Sequence, residues 1–406
     1  MPSGFTFNGV RAGIKPSGRS DLAVVLAPAG ASAAALFTTN RMRAAPVVVS
    51  EDHLRSGRGD VRAVLINAGC ANAATGPDGV RRCIATATAL AERIGCLPDQ
   101  VLVASTGVIG VPLPDARIVA ALDALVAGAG ADADALTRAA EAILTTDTHP
   151  KIARAAVAGG GASVVGFAKG AGMIHPSLAP AIAGGDPPNA AHATMIAVLV
   201  TDAAAAPAVL ERLLLRGCDR SFHRITIDGD TSTNDAVFAL ASGAAGAVAE
   251  DALAAALHEV MRTLALAIAR DGEGARRLVT VRATGAASAE DALKAARTVA
   301  SSLLVRTAIA GGDPNWGRIA AAIGRSGALF DAETLRIAAD GVVLYERGAP
   351  SAIDPHRRGA IFRGESVLIE IDLGAAPHRA PEGFADEFHT CDLTEEYVRV
   401  NAEYTT

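Results

Sequence analysis

The chain has 406 residues, half of them hydrophobic and 3% aromatic, and its formal net charge is −6. This length is ample for a large core, whereas the acidic balance and the few aromatic residues argue against a nucleic-acid partner. The sequence shows neither a signal-peptide pattern at its start nor an uncharged apolar stretch of membrane length, so we expect a cytoplasmic protein without a membrane partner. Its five cysteines lack CxxC spacing, which is typical of buried thiols in a reducing compartment.

Apolar runs and helical periodicities alternate along the chain in an irregular order. Short apolar runs bounded by turn residues predict strands at residues 21–26, 45–50, 61–67 and 101–105. Helical spacing follows at residues 115–127, 132–144 and 251–270, the last with a stripe of Leu253, Leu257, Val260, Leu264 and Ile268. Further strands are predicted at residues 278–283, 335–338, 342–345, 367–372 and 397–401. The pattern predicts a mixed α/β protein, and its length suggests two lobes.

Residues 169–202, KGAGMIHPSLAPAIAGGDPPNAAHATMIAVLVTD, contain a candidate nucleophile, Thr194. If the chain were cut before Thr194, the freed α-amine, with a pKa of roughly 8, could take the proton from the Thr194 hydroxyl. Alone, the ATM triplet is more typical of a structural threonine at the start of an apolar strand. The preceding residues 179–189 contain Gly-Gly and Pro-Pro pairs, which predict an exposed loop.

The motifs KGAGMI, ATM and TDA occur with the distant patches INAGCANAATG, IDGDTSTND and GGDPNWGR. With these motifs the chain resembles the ornithine acetyltransferase (glutamate N-acetyltransferase) family of arginine biosynthesis over almost its whole length. The resemblance implies a layered α/β sandwich of the ornithine acetyltransferase/DmpA-like type. It also implies self-cleavage between Ala193 and Thr194 into chains 1–193 and 194–406, and a heterotetramer of two α and two β chains. In the family pattern the MIxPxx segment runs straight into ATM, whereas residues 179–192 intervene here.

The resemblance also assigns roles to single residues. The STG turn of VLVASTGVIG places an oxyanion hole at the Thr106 hydroxyl and the Gly107 N–H. Lys169 is expected to neutralise a substrate carboxylate, and Glu273 to accept hydrogen bonds from a substrate ammonium. Taken singly, such residues are common in turns and on surfaces, and only the motifs favour these roles. The remaining substrate-binding residues implied by the resemblance are Thr145, Asn401, Thr406 and Thr194 itself.

The implied reaction is a ping-pong transfer of an acetyl group from N-acetylornithine to Thr194 and then to glutamate. We expect no cofactor and no metal, since the sequence lacks HExxH, HxH and Walker A patterns. Acetyl-CoA stays open as a second donor. Two other functions also stay open: an N-terminal-nucleophile amidohydrolase or aminopeptidase that admits water, and an uncleaved, non-catalytic homologue, suggested by the intervening residues 179–192.

Overall fold

The computed structural model describes residues 1–180, 195–376 and 382–403, which form two compact units. The first unit comprises residues 1–180, 195–223 and 229–268, and the second comprises residues 224–228, 269–376 and 382–403. Both units contain helices and strands. The predicted mixed α/β class with two lobes is therefore confirmed. The boundaries of these two units do not test the predicted cleavage between Ala193 and Thr194.

The strands of the first unit form two sheets, and those of the second unit form one. In chain order the strands are β1 (Thr6–Val10), β2 (Leu22–Leu26), β3 (Ser32–Thr38), β4 (Ala63–Cys70), β5 (Val101–Val108), β6 (Lys151–Ala156), β7 (Ser163–Lys169), β8 (Leu178–Pro180), β9 (Ile196–Ala204), β10 (Ala236–Ala247), β11 (Leu278–Ala286), β12 (Arg336–Ala339), β13 (Val342–Glu346), β14 (Ala349–Pro350), β15 (Ser366–Asp372) and β16 (Phe384–Cys391).

Helices connect these strands and cover the sheets. In chain order the α-helices are α1 (Ala45–Ser56), α2 (Gly76–Ile94), α3 (Asp115–Ala127), α4 (Ala133–Ala142), α5 (Pro207–Cys218), α6 (Glu250–Arg270), α7 (Ala289–Ala300), α8 (Leu303–Gly311), α9 (Trp316–Gly324), α10 (Pro355–Ala360) and α11 (Glu395–Glu403). Several begin at a side-chain cap: Asp132 accepts a hydrogen bond from the Ala135 N–H at the start of α4.

The first unit is a sandwich of two sheets. One sheet has the order β1-β2-β4-β5, and the other has the order β6-β7-β9-β10-β3-β8, in which β9 and β10 are parallel and all other neighbours antiparallel. Side chains alternate across the first sheet as the strand period of two requires. Ala23 and Val25 face the core between the two sheets, whereas Leu22 and Val24 face helices α2 and α3.

Helix α6 covers the outer face of the second sheet. It is long and apolar enough to cross a membrane by length and composition. However, every residue of its predicted apolar stripe, from Leu253 to Ile268, is at most 2% exposed. A Cβ atom added at Gly166 of β7 would lie 2.9 Å from Val260 Cγ1, so this glycine lets the helix approach the sheet closely. Helix α6 is therefore a core helix, and the unit has the layer order helix, sheet, sheet, helix.

The second unit contains one sheet of order β14-β13-β12-β15-β11-β16. Its core joins alternate residues of β11 and β15, such as Val281 and Ile369, to α7 and α9. Helix α7 begins at Ser288, whose hydroxyl accepts a hydrogen bond from the Asp291 N–H.

Two predicted strands are helices in the structure. Residues 45–50 lie in α1, because Pro46 occupies the first turn, where its fixed φ favours a helix, and this outweighs the strand preference of three consecutive valines. Residues 397–401 lie in α11. There the Thr394 hydroxyl accepts a hydrogen bond from the Glu396 N–H, and Arg399 pairs with Glu396 one turn away.

The first two residues of the loop predicted at residues 179–189 lie in a strand. Ala179 and Pro180 belong to β8 and pair with Phe37 and Leu36 of β3. Pro180 is tolerated because β8 is the edge strand of its sheet. The rest of the predicted loop, from residue 181 onward, lies outside the described residues.

Candidate active site

Strand ends from both sheets of the first unit meet at one end of the sandwich. Lys169, the last residue of β7, pairs with Ile196 at the start of β9, and Ile196 pairs with Ala236 at the start of β10. The Lys169 Nζ atom lies 3.3 Å from the Thr106 Oγ1 atom, near the C-terminal end of β5. Thr106 and Lys169 are 1% and 2% exposed. The structure thus brings together two residues that are 63 positions apart in the sequence.

Gly107 of β5 lies opposite Gly69 of β4. Its φ of +128° is in the region that favours glycine. A Cβ atom at Gly107 would lie 2.4 Å from the backbone carbon of Gly69, so no other residue fits without moving a strand. The pairing is irregular here, with Cys70 opposite both Thr106 and Val108. The Thr106–Gly107 peptide therefore leaves the regular strand geometry at the position predicted for the oxyanion hole.

A buried carboxylate, Asp147, links three segments around Lys169. Its Oδ1 atom accepts hydrogen bonds from the Gly170 N–H at 2.6 Å and the Lys151 Nζ at 2.7 Å. Its Oδ2 atom accepts from the N–H of Thr145 at 3.1 Å. One side chain that sequence reasoning did not select thus holds the backbone of Thr145 and of Gly170, the residue after Lys169.

The charges near Asp147 favour its ionised form. Burial alone would raise the pKa of Asp147, but the Lys169 and Lys151 ammonium groups and the hydrogen bonds from Lys151 and Gly170 lower it to about 2. Lys151 and Asp147 form an ion pair in which both side chains are fully buried. At neutral pH this region therefore contains the charged carboxylate of Asp147 and the ammonium groups of Lys151 and Lys169, all of them buried.

Asn234 and Asp235, which directly precede β10, also contact this end of the sandwich. The Asn234 Nδ2 donates to the carbonyl oxygens of Ser105 and Ala71 at 2.9 and 2.6 Å. One Asp235 carboxyl oxygen accepts a hydrogen bond from the Met195 N–H, and the other has no hydrogen-bond partner among the residues that the structure describes. Sequence reasoning treated the IDGDTSTND motif as scaffold and as a wall of the site, without selecting either residue. The signal it missed is a polar run that leads directly into a buried strand.

The second unit brings together two other predicted residues. The Asn401 Nδ2, on α11, donates to Glu273 Oε2 at 2.8 Å and to the Tyr397 carbonyl oxygen at 3.0 Å. Asn401 is exposed and Glu273 is partly exposed. The pair is therefore accessible to a small molecule. Ala193, Thr194 and Thr406 lie outside the described residues.

The cysteines are not activated. Four of the five are buried and all five are free thiols. Burial raises the pKa of Cys70 and Cys391, and it raises the pKa of Cys83 to about 12. Since the thiolate is the nucleophilic form, these shifts disfavour the reactive form of Cys70, Cys83 and Cys391. The scattered spacing predicts buried thiols, as four of the five are.

A family model described as the ArgJ family matches residues 6–406. The chain belongs to the ArgJ family. The arginine biosynthesis bifunctional protein ArgJ of Thermus thermophilus is 46% identical over 406 residues, covering 100% of this chain and 99% of the relative. The protein of the same name from Geobacter sulfurreducens is 44% identical over 413 residues, with 99% of each chain covered. Among solved structures, an ornithine acetyltransferase from Mycobacterium tuberculosis complexed with ornithine is 38% identical, covers 44% of this chain and 94% of its own, and has a TM-score of 0.39.

The predicted family is thereby confirmed. The geometry of this ArgJ-family chain also indicates what its first unit can do chemically. An ammonium group can only donate, so the contact of Lys169 with Thr106 uses a lone pair of the threonine oxygen. The hydroxyl hydrogen of Thr106 can then be donated to another acceptor, and the adjacent positive charge polarises it. Both properties suit a group that stabilises a developing oxyanion.

Proposed function

We propose that this ArgJ-family chain transfers the acetyl group of N-acetylornithine to glutamate through an ester on Thr194. The observation that carries the proposal is the buried Lys169 ammonium beside the Thr106 hydroxyl, at the end of the strand paired with the start of β9. Thr194 precedes Met195, which leads directly into that strand. Family membership supports the acyltransferase class and the place in arginine biosynthesis.

In the first step the Thr194 Oγ attacks the carbonyl carbon of Ala193, and the peptide bond becomes an ester. Water then hydrolyses the ester, which leaves a carboxylate on Ala193 and a free α-amine on Thr194. That amine, with a pKa of roughly 8, is the base for the following cycle. Chains 1–193 and 194–406 result.

In the transfer cycle the Thr194 amine takes the proton of its own Oγ, which attacks the acetyl carbon of N-acetylornithine. The hydroxyl of Thr106 and the N–H of Gly107 stabilise the tetrahedral oxyanion, and ornithine leaves with the transferred proton. The amine of glutamate next attacks the acetyl ester, which releases N-acetylglutamate and restores the Thr194 hydroxyl. Lys169 binds the substrate carboxylate, and the reaction needs no cofactor and no metal.

Other parts of the proposal rest on the resemblance alone. Thr145, Glu273, Asn401 and Thr406 are proposed to contact the amino-acid substrate. The assembly is proposed to be a cytoplasmic heterotetramer of two α and two β chains. Acetyl-CoA as a second acetyl donor is a separate proposal, which a comparison of the two donors tests.

The test is an assay of purified protein with N-acetylornithine, with and without glutamate, together with its intact mass. We expect two fragments that meet between Ala193 and Thr194, and N-acetylglutamate that forms only when glutamate is present. The variant Thr194→Ala should stay uncleaved and inactive, whereas the control Thr194→Ser keeps a hydroxyl and should cleave. Release of acetate without glutamate would favour the amidohydrolase, and one intact, inactive chain would favour the non-catalytic homologue.

A further inference from the structure

Asn234 is bonded to the strand that carries the proposed oxyanion donors. Its Nδ2 group has two hydrogens, and each is directed at a carbonyl oxygen, that of Ser105 at 2.9 Å and that of Ala71 at 2.6 Å. Ser105 directly precedes Thr106 on β5. A side-chain amide suits this position because it supplies two donors to two acceptors, whereas a carboxylate would repel both.

Asp235, the next residue, is bonded to the other side of the site. Its carboxyl accepts a hydrogen bond from the N–H of Met195. That nitrogen is covalently joined to the carbonyl carbon of Thr194, so Asp235 anchors the peptide unit that leads out of the nucleophile.

The stretch that carries these two residues is held firmly. Asn234 and Asp235 are 2% and 0% exposed. The Asp235 carbonyl oxygen accepts a hydrogen bond from the Thr38 N–H at 2.9 Å, and the Thr38 hydroxyl donates to the Ser232 carbonyl oxygen at 2.8 Å. Strand β3 thus fixes the stretch from its far side.

We propose that Asn234 and Asp235 are positioning residues that set the spacing between the oxyanion donors on β5 and the nucleophile that precedes β9. This inference rests on the proposed function. Strands β5 and β9 belong to different sheets, so neither sheet's own hydrogen bonds set this spacing. Donors must lie about 2.7–3.1 Å from the oxyanion, and a misplacement of about 1 Å costs on the order of 10²-fold in rate.

The second carboxyl oxygen of Asp235 allows a more specific test of this positioning role. It is buried and has no hydrogen-bond partner among the described residues. Burial raises the pKa of Asp235 well above its usual range, although the hydrogen bond from the Met195 N–H and the Lys169 charge act to lower it. Burial therefore favours the protonated form of this carboxyl. Asparagine has the same shape as a neutral carboxyl and keeps an acceptor for Met195, so Asp235→Asn should preserve the anchor.

The experiment compares full-length Asn234→Ala, Asp235→Ala and Asp235→Asn with Ser50→Ala as a matched control. Ser50 is buried in α1, and its hydroxyl makes two hydrogen bonds to Val103 of β5, at 2.7 and 2.8 Å, away from the site. The rate of self-cleavage is followed by intact mass, kcat and KM are measured on the cleaved fraction, and thermal transitions report the fold.

For the two alanine variants we expect self-cleavage and kcat to fall on the order of 10²-fold, while KM for N-acetylornithine stays within about threefold. Asp235→Asn should stay near wild type in both rates. Ser50→Ala should lower the thermal transition by a similar amount and leave kcat unchanged. If an alanine variant does not fold, Asn234→Ser or Asp235→Ser takes its place under the same criteria.

Alanine variants that fold and keep wild-type cleavage and kcat would overturn the inference, as would a loss confined to KM. An Asp235→Asn variant as slow as Asp235→Ala would also overturn it, because the effect would then belong to the carboxyl proton. The proposed function fails differently: wild-type protein would lack glutamate-dependent transfer, or Thr194→Ala would retain it.

Discussion

Replacing Asp147 by asparagine should destabilise the first unit by about 3–5 kcal/mol at neutral pH, the typical cost of breaking a buried ion pair. The carboxylate receives hydrogen bonds from Lys151 at 2.7 Å, from Gly170 at 2.6 Å and from Thr145 at 3.1 Å. One amide oxygen cannot accept all three. The variant would also remove the carboxylate that pairs with the buried ammonium group of Lys151.

The pH dependence of the free energy of unfolding gives a second measure of what the Asp147 carboxylate contributes. The pKa of Asp147 falls from 3.8 to about 2 on folding, which corresponds to about 2 kcal/mol. Because the folded value is the lower one, this stabilisation is complete above the unfolded pKa of 3.8 and is lost as the pH falls toward 2. The stability difference between wild type and Asp147→Asn should therefore shrink by about 2 kcal/mol over that acid range.

Thermal unfolding at pH 7 and in acid checks both numbers. At about 2 °C per kcal/mol for a unit of this size, the variant should unfold roughly 6–10 °C below wild type. The control is a double-mutant cycle with Lys151→Met, since removing both charges should cost less than the sum of the single changes. A shift of less than about 2 °C, or strict additivity in the cycle, would refute the reasoning.

Three other substitutions or deletions follow from the geometry. Gly107→Ala should abolish transfer and lower stability, because the new Cβ would lie 2.4 Å from a backbone carbon. Gly110 also has a positive φ, but a Cβ there would meet open space, so the control Gly110→Ala should keep kcat in the same assay. Lys169→Met should lower kcat/KM on the order of 10²-fold, because it removes the charge beside the oxyanion donor, and a variant with unchanged steady-state kinetics would contradict that role. Deleting residues 181–192 should leave self-cleavage intact by mass spectrometry, whereas deleting residues 179–192 also removes most of β8 and should lower the thermal transition.

Some elements of the fold could be predicted because their local pattern and their final environment agree. Strands β2, β4 and β5 are continuous apolar runs, and both of their faces are buried. Strand β3 was not predicted, because its sequence SAAALFT is rich in alanine, which favours helices. It is a strand since it completes a sheet between β10 and β8, two partners that are distant in the sequence.

Prediction of the site from the sequence is limited in the same way. Motifs indicated Thr106, Gly107 and Lys169, whose proximity the structure then showed. Asp147 and Asp235 were not selected, because their importance comes from partners 23 and 40 positions away. Spacing along the chain does not reveal which strand ends are neighbours, and a lone aspartate in a polar motif is equally typical of a turn.

The order of strands in the six-stranded sheet also determines what a cut before residue 194 would do to the molecule. Strands β3, β6, β7 and β8 precede that position, whereas β9 and β10 follow it and lie between β7 and β3. The two polypeptides would thus be interleaved in one hydrogen-bonded sheet, with seams at β7–β9 and at β10–β3. Dilution could not separate them, an affinity tag on either would recover both, and isotope-labelled fragments would not exchange between molecules unless the unit unfolded.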